Sequence, residues 1–483
     1  MRLDVIQRIV GLLLIIFSTA MLPPALVGMI YQDGGVMPFL EGFLVLVGTG
    51  LLLWLPVRNV RHELRLRDGF IVVVLFWVGL GLAGAVPLVL SETPQISLTD
   101  AVFESISGLT TTGATVITGL DELPKSILIY RQLLQWLGGM GIIVLAVAVL
   151  PILGVGGMQL YRAEAPGPVK DSKLTPRITE TAKALWYIYL ILTVVCALSY
   201  WGAGMTFFDA VSHAFSTVAI GGFSTHDASI GYFDSALIES VAIVFMLLSG
   251  MNFALHFYFW RSMSVQTYRM DTEVRVYLFV ILMASVLVIS MLYFNGIESN
   301  ASDAVRHGLF QTVSIATTTG FVTRDFSFWP VFIPVLLLFL SFIGGCAGST
   351  GGGIKVIRII LLFKQGMRET MRLIHPNATM LVKVRGKPMT EKILEAVWGF
   401  FSAYIFVFVI FMLLMLFTGM DQITAFSSVA ASLNNLGPGL GDVAANYGSI
   451  ADGQKWALSL AMLFGRLEIF TLLVVLTPAF WRQ

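Results

Sequence analysis

DAVFESISGLTTTG, from Asp100 to Gly113, is the first of four related stretches whose reading decides the fold. The others are DAVSHAFSTVAIGG (Asp209 to Gly222), HGLFQTVSIATTTG (His307 to Gly320) and TAFSSVAASLNNLG (Thr424 to Gly437). Two open on Asp-Ala-Val, two close on Thr-Thr-Thr-Gly, and the closing glycines are 109, 98 and 117 residues apart. Each semi-apolar stretch makes a helix of about 18 Å, short of a hydrocarbon core of roughly 30 Å. Each lies between two longer apolar runs. The pattern predicts helix, short re-entrant helix, glycine turn, helix, repeated four times.

The flanking runs fall near 9–31, 39–56, 70–90, 126–150, 184–203, 236–260, 275–294, 329–363, 393–418 and 454–480. Of 483 residues, 57% are hydrophobic and 12% charged, against about 25% charged in soluble domains. A water-facing surface cannot be built from so few ionic groups, which excludes a soluble enzyme. The expected fold is an all-α polytopic membrane protein. A two-helix extension over 1–69 precedes pore repeats over 70–165, 166–265, 266–390 and 391–483, arranged around a pseudo-fourfold ion pore. The first run continues past Met21-Leu22-Pro23-Pro24, so it reads as a retained helix rather than a cleaved leader.

Charge sets the orientation. Of 30 Lys and Arg, 24 fall in the N-terminus, 57–69, 151–183, 261–275, 355–392 and the C-terminus. Only Lys125, Arg131, Arg306, Arg324, Lys455 and Arg466 fall elsewhere. Basic linkers stay in the cytoplasm, so both termini are expected there. The outer linkers are acidic, with Asp33, Asp121, Asp227 and Asp234 among them, a mild pointer to cations. The net charge of +1 argues for no nucleic acid.

Backbone that is not helical survives at membrane depth only where protein or a water-filled path satisfies it. Four glycine turns meeting on one axis would do so, and their carbonyls could replace an ion's hydration shell. Glycine allows backbone angles that a Cβ penalises. The short helices begin beside Asp100, Asp209, Asp303 and Asp421, where a carboxylate complements the positive helix end. Their negative ends then point inward, which favours a cation.

The four windows, the two extra N-terminal helices, the Gly-rich FIGGCAGSTGGGIKVIR (Phe342 to Arg358), NNLGPGLG (Asn434 to Gly441) and GGFSTHD (Gly221 to Asp227) resemble the TrkH/TrkG/KtrB superfamily of K⁺ transporters. The resemblance covers essentially the whole chain. It implies potassium uptake across the bacterial inner membrane, with K⁺ as transported ligand and no other cofactor. It also implies K⁺ coordination by backbone oxygens of Thr111, Thr112, Ile220, Gly221, Thr318, Thr319, Asn435 and Leu436, before the filter glycines Gly113, Gly222, Gly320 and Gly437. A homodimer, and a cytosolic nucleotide-binding regulatory ring of the TrkA type, are implied as well. Only one glycine is common to all four windows, so weaker discrimination of K⁺ from Na⁺ is expected than in channels with four identical strands. The rival reading is an alternating-access K⁺/H⁺ or K⁺/Na⁺ symporter with inverted repeats. All four windows instead begin in an outer linker and run parallel.

Residues 344–353 read Gly-Gly-Cys-Ala-Gly-Ser-Thr-Gly-Gly-Gly inside an otherwise apolar run. Small residues also serve close helix packing. Each glycine nevertheless costs about 1 kcal/mol of helix propensity, so Gly344, Gly345, Gly348, Gly351, Gly352 and Gly353 together predict an unwound gating loop. Ile354 separates Gly353 from Lys355, which rules out a Walker A loop. Arg466 lies at a depth similar to Gly344, and an intramembrane arginine needs a partner. Either Glu468 or the loop carbonyls could serve. The basic linkers 151–183 and 355–392 fit positive-inside topology, and a docking surface for the regulator is the sharper reading.

Other patterns carry less. Gly79-x-Gly81-x-x-Gly84 follows no strand, and so is not a dinucleotide site. Cys196 and Cys346 have no local pair, and His213, His226, His256, His307 and His375 show no ligand spacing. The histidines are expected to be solvated or interfacial. No nucleophile–base pair suggests catalysis. The shared glycine generates the first test: Gly113→Ser, Gly222→Ser, Gly320→Ser and Gly437→Ser should each lower K⁺ uptake or K⁺/Na⁺ preference without abolishing insertion. Growth like the parent on limiting K⁺ by all four variants would dismiss the filter assignment.

Overall fold

A peptide group in a bilayer has no water to bond, so apolar runs close their hydrogen bonds locally as helices. The computed structural model describes residues 2–60, 66–141, 178–384 and 386–482, and the chain is an all-α polytopic membrane protein. Among the described residues, six helices are long and apolar enough to cross a membrane: Leu3–Tyr31, Val36–Val57, Arg67–Leu90, Lys183–Gly202, Thr272–Phe294 and Glu391–Phe417. Residues 142–150 of the fourth run, and 151–177 of the linker read as a docking surface, lie outside the described residues. A two-residue hairpin pairs Lys383 with Pro388 and Val384 with Lys387.

Of the other four runs, three are interrupted, where the sequence predicted one interruption, and the run beginning at 126 is described only as far as Gly141. Phe332–Ile343 and Val356–Ile374 flank the expected glycine-rich break. Ala236–Ser249 and Phe253–Ser262 meet at 96°, and Asp452–Arg466 and Phe470–Leu476 at 115°. The helix Lys125–Trp136 passes into a π turn over Leu137–Gly141. Averaged hydropathy passes over the two sharp bends because a single polar residue in each, Asn252 or Glu468, is flanked by apolar stretches. At the 96° bend the Asn252 side chain accepts from Ala254 N at 2.8 Å and starts a new helix. At the 115° bend Glu468 and Ile469 both take left-handed backbone angles.

Four short helices, Leu98–Leu109, Phe207–Ala219, Ala301–Ala316 and Gln422–Leu433, precede these breaks. Three have side-chain caps: Ser97 and Thr206 accept from the Asp100 and Asp209 amides at 3.1 Å, and Asp421 accepts from Ile423 and Thr424. Two apolar cores hold the assembly. One unites the N-terminal helices with the first and fourth windows, and the other unites the second and third.

The Gly79-x-Gly81-x-x-Gly84 pattern turns out to be a packing surface. Ser105 Oγ donates to Gly81 O and Tyr130 OH to Gly84 O, both at 2.7 Å. A Cβ on Gly84 would fall 2.4 Å from Ser105 Oγ, whereas one on Gly79 would meet nothing within 4 Å. Gly84→Val should therefore destabilise the detergent-solubilised protein by roughly 1–3 kcal/mol, seen as a lowered thermal midpoint. Gly79→Val should leave that midpoint where it is.

Candidate functional site: a ring of four glycine turns

The four short helices end in one repeated backbone conformation. Thr111, Ile220, Thr318 and Asn435 have φ of 57°, 57°, 67° and 52°. The glycines two positions on, Gly113, Gly222, Gly320 and Gly437, have φ of 81°, 81°, 84° and 95°. Between them, the amides of Thr112, Gly221, Thr319 and Leu436 donate to the carbonyls of Ser107, Ser216, Ser314 and Ala431, each at 2.8 Å. Left-handed angles are costly for threonine and isoleucine, on the order of 1–3 kcal/mol each. Such strain persists only where the surroundings impose it.

Those surroundings are the neighbouring turns. A Cβ on Gly113 would lie 2.1 Å from Gly221 O, and one on Gly222 would lie 2.1 Å from Thr319 O. One on Gly320 would lie 2.2 Å from Leu436 O, and one on Gly437 would lie 2.7 Å from Thr112 O. The fourth contact returns to the first window, so the ring closes. Glycine is needed here on two counts, its φ and the carbonyl against its Cα, and only the first was legible in sequence. In the first and third windows, threonine hydroxyls stitch the turn, Thr110 to Thr112 and Thr317 to Thr319, both at 2.7 Å. In the fourth, Asn435 Nδ2 donates to Thr112 Oγ1 and Met462 O, each at 3.0 Å.

Below the ring runs the glycine-rich segment, unwound from Gly344 to Lys355. Cys346 N donates to Gly250 O at 2.8 Å, and Thr350 Oγ1 to Val218 O at 2.9 Å. Gly352 N donates to Thr318 Oγ1 at 2.7 Å, and Gly353 N to Asn434 O at 3.1 Å. The segment thus touches the second, third and fourth short helices at their inner ends. Several of its glycines face backbone: a Cβ would lie 1.9 Å from Asn434 O at Gly352, 2.2 Å from Gly352 O at Gly344 and 3.0 Å from Thr317 O at Gly351. Gly345 O accepts from Val356 N and Gly348 O from Phe253 N.

Arg466 joins this segment to the first repeat. Its guanidinium donates to Thr350 O and Thr111 Oγ1 at 3.3 Å, and to Gly138 O and Gly139 O at 2.5 and 2.7 Å. Of the two expected partners, the loop carbonyl is the one it meets, while Glu468 pairs with Arg358. The Glu273 carboxylate accepts from Ala347 N at 2.7 Å and Ile357 N at 3.1 Å, holding both ends of the loop. Nothing in the local sequence singled Glu273 out.

Several charges assigned to outer linkers are paired. Glu104 and Arg131 form a fully buried pair at 2.7 Å. Lys455 meets Asp100 at 2.6 Å, and Arg306 meets Glu239 at 2.8 Å. The expectation of solvated or interfacial histidines holds for the exposed His375 and fails for His213, His256 and His307, which are buried. His213 Nε2 lies 2.9 Å from Ser224 Oγ. His226 sits in the outer loop against Asp209 and Asp121. Burial alone would lower its pKa, but hydrogen bonds to the two carboxylates outweigh burial and raise it.

Fold and site together define a polytopic helical membrane protein whose four re-entrant segments meet in one ring. Within that class the chain belongs to the TrkH family of cation transport proteins, whose family model matches residues 36–482. It is 60% identical over 485 residues to the Trk system potassium uptake protein TrkH of Vibrio parahaemolyticus, covering 100% of both chains. It is 57% identical over 483 residues to the Escherichia coli K12 protein of that name, again over 100% of both. The crystal structure of the potassium transporter TrkH from Vibrio parahaemolyticus superposes with a TM-score of 0.91 at 57% identity, covering 100% of each chain.

Around the ring, Glu104 gathers Thr115 Oγ1 and Val116 N as well as Arg131, and Arg131 reaches Ser224 O at 3.3 Å. Removing one member of a buried ion pair leaves the other charge stranded. Arg131→Met should cost about 3–5 kcal/mol, and the double variant Glu104→Gln/Arg131→Met distinctly less. Thermal unfolding of the purified variants measures both.

Proposed function

We propose that this chain takes up potassium across the bacterial inner membrane through a channel-like pore. The closed ring of left-handed turns carries the reading, supported by relatives of nearly 60% identity that are named potassium uptake proteins. Backbone oxygens of Thr111, Thr112, Ile220, Gly221, Thr318, Thr319, Asn435 and Leu436 form the selectivity filter, held by Gly113, Gly222, Gly320 and Gly437. The oxygens replace water around a dehydrated cation, and the inward carboxyl ends of four short helices add negative potential. The parallel direction of the four windows favours a pore over a rocking symporter. A two-helix extension over 1–69 and repeats over 70–165, 166–265, 266–390 and 391–483 are its units. Both termini lie in the cytoplasm, by the distribution of Lys and Arg. The chain works as a homodimer with a TrkA-type cytosolic ring. Flux from liposomes loaded with K⁺, Rb⁺, Na⁺ or Li⁺ tests the reading, which predicts passive flux favouring K⁺ and Rb⁺.

Gating belongs to residues 344–353 and Arg466. The loop crosses under the ring, and glycine backbone has several near-equal wells that a cytosolic subunit can bias. Arg466 holds the loop through Thr350 O, and its positive charge opposes K⁺ nearby. Both effects act against permeation. Arg466→Ala, or deletion of part of 344–353, should increase flux in proteoliposomes lacking any cytosolic partner. Unchanged or lower flux from both folded variants would make the loop a packing element.

A further inference from the structure

The second window differs from the others in how its turn is held. The first and third windows carry threonine at the positions one and three before the glycine, and those hydroxyls bond each other. The corresponding residues of the second window are Gly221 and Ala219, which have no polar side chain to offer. Support comes instead from the helix Lys125–Trp136 of the first repeat. Gln135 Nε2 donates to Gly221 O at 2.6 Å, and Gln135 Oε1 accepts from Phe223 N at 3.1 Å. One turn earlier, Gln132 Nε2 donates to Phe223 O at 3.1 Å. Three backbone groups flanking Gly222, namely Gly221 O, Phe223 N and Phe223 O, are thus bonded by two glutamines.

Gly221 makes room for this. Its φ is not left-handed, so its backbone does not require glycine. A Cβ there would instead fall 2.4 Å from Gln135 Cδ and 2.5 Å from Oε1. The amide of Gln135 therefore occupies the space that a side chain at position 221 takes in the first and third windows. Gln135 is completely buried. We infer that Gln135 is a positioning residue for ion selection, supplying to the second filter strand the side-chain support that its own window lacks. The inference rests on the filter reading above and adds a determinant from outside the four windows. A strand whose carbonyl is drawn toward Gln135 presents its oxygens differently from the hydroxyl-stitched strands, which makes the ring unequal at this corner.

The test uses the full chain in cells that lack other potassium uptake systems and retain its cytosolic partners. Gln135→Glu keeps the shape and removes the donor to Gly221 O, and Gln135→Ala removes both bonds. Each should raise the Na⁺/K⁺ uptake ratio about five-fold, the scale of one lost buried hydrogen bond. Gly221→Ala alone should depress uptake through the clash with Gln135. Gly221→Ala/Gln135→Ala should recover uptake while keeping the altered ratio. Gly113→Ser serves as the control for the filter itself. A parental ratio in both Gln135 variants, alongside a shifted ratio in Gly113→Ser, overturns the inference and leaves the filter standing. Parental uptake and a parental ratio in Gly113→Ser, and in the other three glycine variants as well, remove the filter reading and the inference with it. If the Gln135 single variants fail to assemble, the double variant decides. Uptake no better than in Gly221→Ala alone counts against the inference.

Discussion

Everything in this molecule depends on the contact of each glycine Cα with a carbonyl oxygen of the next turn. Non-helical backbone cannot face lipid, because each unsatisfied peptide group there costs several kcal/mol. A single left-handed turn at the end of a short helix would be such a liability. Four of them, set edge to edge, shield one another from lipid and leave a common centre. The turn is held from within by the 2.8 Å amide-to-carbonyl bond that recurs in all four windows. Its position is held from outside by neighbours that leave no room for a Cβ. The strain in Thr111, Ile220, Thr318 and Asn435 is therefore imposed by closure rather than by local preference.

The layer beneath the ring follows from the same closure. The second, third and fourth short helices are each followed by a helix that breaks or bends, and backbone at these breaks is bonded to other segments beneath the ring. The glycine-rich segment takes Ser249 and Gly250 from the second repeat and Asn434 from the fourth, while Arg466 takes Gly138 and Gly139 from the first. Backbone carbonyls freed by one break accept donors supplied by another. That accounting keeps interrupted helices tolerable inside a membrane. It also ties the segments beneath the four windows together through one arginine, one loop and the Glu273 carboxylate that clasps the loop's ends.

Four like backbone turns coexist with three kinds of side-chain support. Paired threonine hydroxyls serve two windows, a glutamine from another repeat serves one, and asparagine serves the last. Ion pairs distribute themselves as unevenly, with Glu104–Arg131 buried behind the first two windows. Equal conformation tolerates unequal support, because ring closure constrains the backbone and leaves the outer shell free to vary.

Much of this was legible in the chain by itself. Composition alone set the membrane environment and the helical class. The spacing of Gly113, Gly222, Gly320 and Gly437 located the turns, and the glycine run located the unwound loop. Arg466 stood out because a charge amid apolar residues is conspicuous. These are local signals of periodicity, hydropathy and propensity. Tertiary structure alone decided what Gln135, Glu104, Arg131 and Glu273 do, since the partners that tie them to other elements lie 27 to 93 residues away and no local rule links them. It decided that His213, His256 and His307 are buried, and that two apolar runs bend sharply without an interruption in hydropathy. The physical reason is the same in each case. A side chain's burial and its hydrogen-bond partner are properties of whatever packs against it, and the ring brings together segments that sequence order keeps apart.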